Sequence, residues 1–185
     1  MVPFVYMEHP AHDQRIPKGV TLYALDRRLK LVRQSLFEGT CAAASLKMVF
    51  KYYRNRKVPS AQRIYEEIRS DDSYTSAKSP GEGLFSADLV AYAMSKGHRA
   101  WRGTQGTIAL LDEQVNGQDT PVIVFIEHIA GGTHAVVVES VDAKYVYFKD
   151  PDALMPLRSK LSTRRFLERW AEGDYRYIIV KDKGK

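Results

Sequence analysis

The chain has 185 residues, enough for one domain of ordinary size with at most an appendage. Hydrophobic residues make up 44% and charged residues 27%, a globular balance that excludes a disordered tail protein or a collagen-like fibre. The 28 basic and 22 acidic side chains leave a net charge of +6, but no basic run reaches five or six like charges, so specific nucleic-acid binding is not expected.

Residues 1–30 read as an irregular extension, with Pro3, Pro10 and Pro17 and a short strand candidate at 20–25. The first ten residues lack the long apolar centre of a signal peptide. The longest apolar run, 122–126, falls far short of the ~18 residues a membrane span needs. A soluble, cytoplasmic protein is expected.

Helices come first. Leu46, Val49, Phe50 and Tyr53 recur at helical spacing and predict a helix over 41–53. Ser60 is placed to cap a second helix, with Ile64 and Ile68 one turn apart. Ser86 is placed to cap a third, over 87–96, which Gly97 would end. A short fourth spans 108–115. Glu66-Glu67 and Asp71-Asp72 read as solvated helix-end charges, and His98, after Gly97, as a turn residue.

From Pro121 the pattern changes to β-branched and aromatic runs at 122–126, 135–141 and 145–149, the last two joined by a tight turn at Asp142-Ala143-Lys144. Phe166, Leu167 and Trp170 suggest a small helix, and 175–180 a closing strand. The tyrosines at 145, 147, 175 and 177 fit sheet packing. Helices followed by an antiparallel sheet define an α+β fold.

Cys41 is the single cysteine, so an internal disulfide and a cysteine zinc cluster are both excluded. Gly39-Thr40 breaks the chain just before the first helix and puts Cys41 in its first turn. There the unpaired N–H groups and the helix dipole favour thiolate over thiol. A thiolate nucleophile needs a base, and the base needs an orienting group.

Five histidines compete for the role of base. His9 and His12 lie in the irregular extension, and His128 is a weak candidate beside the Gly131-Gly132 loop. His134 opens a strand directly after that loop, where an imidazole is rigidly held yet reachable. Asp150 follows sixteen residues later, at the end of the paired strand. Reflected about the Asp142–Lys144 turn, Asp150 comes out beside His134, and Asp152 is the competing carboxylate. Acyl transfer also needs donors for an oxyanion. The Cys41 backbone N–H and the Gln34 side-chain amide are available. No metal-ligand spacing and no phosphate loop occurs, so no metal or cofactor is expected.

The order Gln34, Cys41-Ala-Ala-Ala-Ser45-Leu46, Thr133-His134-Ala-Val-Val-Val138 and Lys149-Asp150-Pro151 resembles the papain-like cysteine peptidases. It is most similar to the C39 peptidases, which process bacteriocin leaders after a double glycine, and to their stand-alone relatives. The resemblance covers 31–180 and includes Gly83-Leu84-Phe85 and the closing Tyr177-Ile-Ile-Val180. It implies a papain-like domain over 31–185, a helical half packed on an antiparallel sheet, with the cleft between them. By the family pattern Cys41 is the nucleophile, His134 the general base and acid, Asp150 the orienting group and Gln34 the oxyanion donor. A peptide or protein substrate with small residues at the cleavage site is implied.

Three positions depart from that pattern: Ala42 replaces the usual glycine, Gln34 stands seven rather than six residues before the cysteine, and Glu139 replaces a glycine in the His134 strand. They motivate an alternative, a papain-like module that binds without turnover. An acyltransferase or transpeptidase would use the same three groups.

Overall fold

The computed structural model of the chain describes residues 29–34, 39–53, 57–78, 83–152 and 159–182. Gly39, at φ +84, turns the chain into α1 (Cys41–Tyr52). Ala42, Ala43, Ala44 and Leu46 in this helix are all but inaccessible to water, and the small side chains let it lie close on the sheet. In α2 (Ala61–Ser70) the Ser60 hydroxyl accepts from the Arg63 N–H at 3.0 Å, the expected cap, and Ile64 and Ile68 are buried.

The third helix starts differently from expectation. In α3 (Ser86–Ser95) the capping position is Phe85, and Ser86 lies inside the first turn. A neighbouring segment takes over the organising role. Asp88 accepts from the N–H groups of Thr75 and Ser76 and from the Ser76 hydroxyl, and that hydroxyl in turn accepts from the Phe85 N–H. Gly97 ends the region at φ +91, as a glycine beyond a helix terminus does.

Glu67 is not the solvated helix-end charge the sequence suggests. It accepts from the Tyr92 hydroxyl at 2.6 Å and pairs with Arg63 and Lys96, tying α2 to α3. The Tyr92 hydrogen bond above all, then those from Arg63 and Lys96, draws its pKa down to about 2.

β1 (Arg99–Gly103) precedes α4 (Ile108–Asp112), which Thr107 caps and which widens into a π turn over Glu113–Gly117 instead of continuing as one helix to 115. Then come β2 (Val122–Glu127), β3 (Thr133–Val141), β4 (Tyr145–Lys149), β5 (Ser159–Ser162), α5 (Thr163–Ala171) and β6 (Tyr177–Lys181). The six strands form an antiparallel sheet in the order β1-β6-β2-β3-β4-β5.

The two strands the sequence does not announce, β1 and β5, are the two edges of this sheet. Half-exposed Arg-Ala-Trp-Arg-Gly and Ser-Lys-Leu-Ser carry no apolar alternation, because an edge strand needs only one paired side and gains from charge. The candidate strand at 20–25 lies outside the described residues. Tyr175 is not on a strand but in a left-handed turn, φ +47, just before β6.

Both β2 and β3 are buried along nearly their whole length, so each is covered on both faces. α1 packs on β3, and α5 packs on β2 and β5. Phe148, Phe166 and Trp170 pack as tilted rings at centroid distances of 6.3 and 5.5 Å and fill the space under α5. Among the described residues no helix is long and apolar enough to cross a membrane.

Candidate active site

Cys41 is the first residue of α1, and the Ser45 hydroxyl one turn later donates to the Ala135 carbonyl at 3.1 Å. That bond pins the start of the helix to the start of β3. His134 is the second residue of β3, 4% exposed. The loop before it is closed by His128 N–H to the Gly132 carbonyl, 2.8 Å, and Gly131 N–H to the His128 carbonyl, 2.9 Å. Gly131 and Gly132 supply φ of +90 and +78, which other residues adopt only under strain. The imidazole is therefore held from both sides.

Asp150 follows β4 and is 2% exposed. Its Oδ1 lies 2.6 Å from His134 Nε2 and also accepts from the Asp152 N–H at 2.9 Å. The register pairs Val137 with Lys149, so continuing the ladder one step sets Asp150 level with Val136. Asp150 thus reaches His134 diagonally rather than from directly across, a correction to the simple reflection about the turn. With Nε2 engaged by the carboxylate, Nδ1 is left for the sulfur.

His134 acts on the Cys41 thiol through hydrogen bonding and charge, and Cys41 acts on the imidazole in return. Burial alone would push the thiol pKa up. The hydrogen bond and charge of His134, with the backbone N–H groups of Ala135 and Ala42, outweigh it and leave Cys41 below its ordinary value. His134 moves the opposite way. Burial lowers it, but the bonds to Asp150 and Cys41 and their charges raise it to about 9. Thiol down and imidazole up is the signature of a thiolate–imidazolium pair.

Gln34 lines the same cleft as Cys41 and His134, a cavity of about 720 Å³ whose walls include Leu84, Phe85 and Phe125. Its backbone N–H donates to the Pro151 carbonyl at 2.9 Å. Next to it, the Arg33 guanidinium donates to the Asp152 carbonyl. The segment carrying Gln34 is thereby tied to the loop carrying Asp150.

His128 and Asp152, both secondary in the sequence, pair with each other: Nε2 lies 3.1 Å from Asp152 Oδ2, and Nδ1 accepts from the Ala130 N–H at 3.2 Å. This pair lies outside the buried one, with the two imidazole centroids 4.8 Å apart. The repeated signal, His-x₅-His matched to Asp-x-Asp across a hairpin, is visible in the sequence once the register is known. His98 is not a turn residue; it is 5% exposed and stacks on Phe50 at 4.7 Å. His9 and His12 lie outside the described residues.

The departures from the family pattern have structural counterparts. Ala42 is 3% exposed and accommodated in the helix. Glu139 occupies a β-bulge between Val138 and Ser140 and pairs with Lys149 at 3.2 Å in the interior.

A family model described as the Peptidase_C39 like family matches residues 27–177. No curated protein matches the chain. Among solved structures, the peptidase domain of Streptococcus ComA, a bifunctional ABC transporter of a quorum-sensing pathway, aligns with TM-score 0.61 at 19% identity, covering 84% of this chain and 99% of that one. A candidate C39-like peptidase from Bacillus anthracis aligns at 0.64 and 20% identity, covering 83% and 95%. A double glycine motif protease from an AMS/PCAT transporter, solved in complex with the leader peptide, aligns at 0.55 and 21%, covering 84% and 94%. The common element is the α+β papain-like fold.

Proposed function

The chain belongs to the Peptidase_C39 like family, and from that premise we propose that it is a cysteine peptidase acting through Cys41, His134 and Asp150. The observation that carries the reading is the half-buried sulfur set beside a buried imidazole and carboxylate, with 2.6 Å between His134 Nε2 and Asp150 Oδ1. The Cys41 thiolate attacks the scissile carbonyl carbon, and its carbonyl oxygen becomes an oxyanion. The Cys41 N–H at the helix start and the Gln34 amide donate to that oxygen. As the C–N bond breaks, His134 gives its Nδ1 proton to the leaving amine, and a thioester remains on Cys41. His134, now neutral, takes a proton from water, the hydroxide attacks the thioester, and the acid product leaves. Asp150 holds the ring in the tautomer that both steps require.

The substrate is a peptide with small residues at the bond. Gly83 and Gly39 face each other at the cleft: a Cβ built on Gly83 would stand 3.9 Å from the Gly39 Cα, so side chains on both would narrow this end. Peptides with a central Gly-Gly, incubated with the protein and followed by mass spectrometry, test the reading. Cleavage after the glycines, abolished in Cys41→Ala, is expected. Added hydroxylamine separates the outcomes of the thioester, since a hydroxamate product reveals transfer to amines. No cleavage, with or without hydroxylamine, would leave the binding-module alternative.

A further inference from the structure

Arg176 lines the same cleft as Cys41 and His134, yet none of the steps above uses it. It belongs to a row. The Phe125 N–H donates to the Arg176 carbonyl at 3.3 Å, and Phe125 pairs in register with Ala135. Arg176, Phe125 and Ala135 therefore lie side by side across three adjacent chain segments, and all three line the cleft. Two strand spacings, about 10 Å, separate the Arg176 backbone from Ala135, the neighbour of His134.

The approach to Arg176 is strained and held. Asp174 and Tyr175 take φ of +58 and +47, a left-handed conformation that costs non-glycine residues energy. Tyr175 N–H to the Trp170 carbonyl (3.1 Å), Gly106 N–H to the Tyr175 carbonyl (3.0 Å) and Trp170 Nε1–H to the Arg176 carbonyl (2.9 Å) fix the turn. The side chain is fixed too. Its Nε donates to the Gly173 carbonyl at 2.8 Å, and the guanidinium carbon lies 5.5 Å from the Phe125 ring centroid. The two terminal nitrogens have no acceptor among the described residues, and no described residue lining the cleft is an aspartate or glutamate. A half-buried guanidinium, positioned in advance and with its terminal nitrogens unpaired among the described residues, is organised for an anion.

We propose that Arg176 is a specificity-determining residue that binds a carboxylate of the peptide substrate about three residues from the bond Cys41 attacks. The spacing follows from the ~3.3 Å advance per residue of an extended chain across that 10 Å. The proposal rests on the peptide reading of this cleft. The carboxylate has two sources: an Asp or Glu side chain within the substrate, or a free C-terminus.

The test is a set of fluorescent twelve-residue peptides with a central Gly-Gly and one Glu moved from five residues before to five after it. Matched Gln and Lys peptides, and a pair ending three residues past the glycines as acid or amide, complete the set. Binding is read by anisotropy on the Cys41→Ala protein, and cleavage by mass spectrometry on the native protein. One Glu position, two to four residues from the central bond, is expected to bind about tenfold tighter than Gln, the size of a charge-assisted hydrogen bond. If only the acid of the C-terminal pair gains, the C-terminus is the source. The gain is expected to vanish in Arg176→Ala, to survive in part in Arg176→Lys, and to pass to Lys-bearing peptides in Arg176→Glu. No Glu–Gln or acid–amide difference above twofold, or a difference that persists in both Arg176→Ala and Arg176→Glu, overturns the proposal. Preference without cleavage leaves the carboxylate site standing and refutes the peptidase, whereas cleavage without preference does the reverse.

Discussion

Asp150 reaches His134 at 2.6 Å with both side chains shielded from water, so the charged imidazole depends on that carboxylate for compensation. Asp150→Ala removes the hydrogen bond and the charge that help raise His134 to about 9. Turnover of Gly-Gly peptides is expected to fall by about 10²–10⁴-fold, and the alkaline limb of the pH–rate profile to move down from near 9. An unchanged alkaline limb would mean that another group carries it. The legibility of these residues follows from their physics. Cys41 is marked by the Gly39-Thr40 break before a strong helical pattern, and His134 and Asp150 by a hairpin with an identifiable turn. His128 is not marked, because its partner Asp152 and its contact with His134 depend on how the Gly131-Gly132 loop folds back. The stacking of His98 on Phe50 likewise joins residues that no local pattern connects.

At the scale of elements, the turn between α5 and β6 positions the end of β2. Gly173 lies so close to the Phe125 carbonyl that an added Cβ would overlap that oxygen, and the obstacle is backbone rather than a flexible side chain. Gly173→Ala is expected to destabilise by about 1–3 kcal/mol, read as a lower urea midpoint, because β2 or the turn must shift. Wild-type stability would show that the turn has room to move. The same contact explains why the segment at 175–180 reads as strand while only its later part is one. Tyr175 packs edge-on against Trp170 at 5.7 Å between ring centroids and is recruited to the turn by packing, against its own β preference. The buried strands β2, β3 and β4 announce themselves by composition. The edges β1 and β5 do not, since their sequences answer to solvent on one side.

In the whole molecule, sulfur and imidazole come from two halves, α1 and β3, and their protonation couples to folding. His134, with a folded pKa near 9 against about 6.5 unfolded, adds stability that is complete below 6.5 and lost as pH rises through about 9. Cys41, depressed in the fold, adds stability above its unfolded value of roughly 8.5 that is lost as pH falls through its folded value. The stability advantage of the native chain over Asp150→Ala is therefore expected to shrink as pH rises through about 9, followed by urea unfolding. An advantage that does not change over that range would contradict a charged His134. The α+β layout is legible from the switch at Pro121, but the cleft between the halves depends on distant contacts such as Ser45 to Ala135. The most direct test is the rate of Cys41 alkylation by iodoacetamide against pH, in the native chain and in His134→Ala. A thiolate–imidazolium pair predicts alkylation that stays fast well below the roughly 8.5 of an ordinary thiol and, once the histidine is removed, rises only near that pH or above. Coincident profiles, both rising near that pH, would contradict the pair and the chemistry built on it.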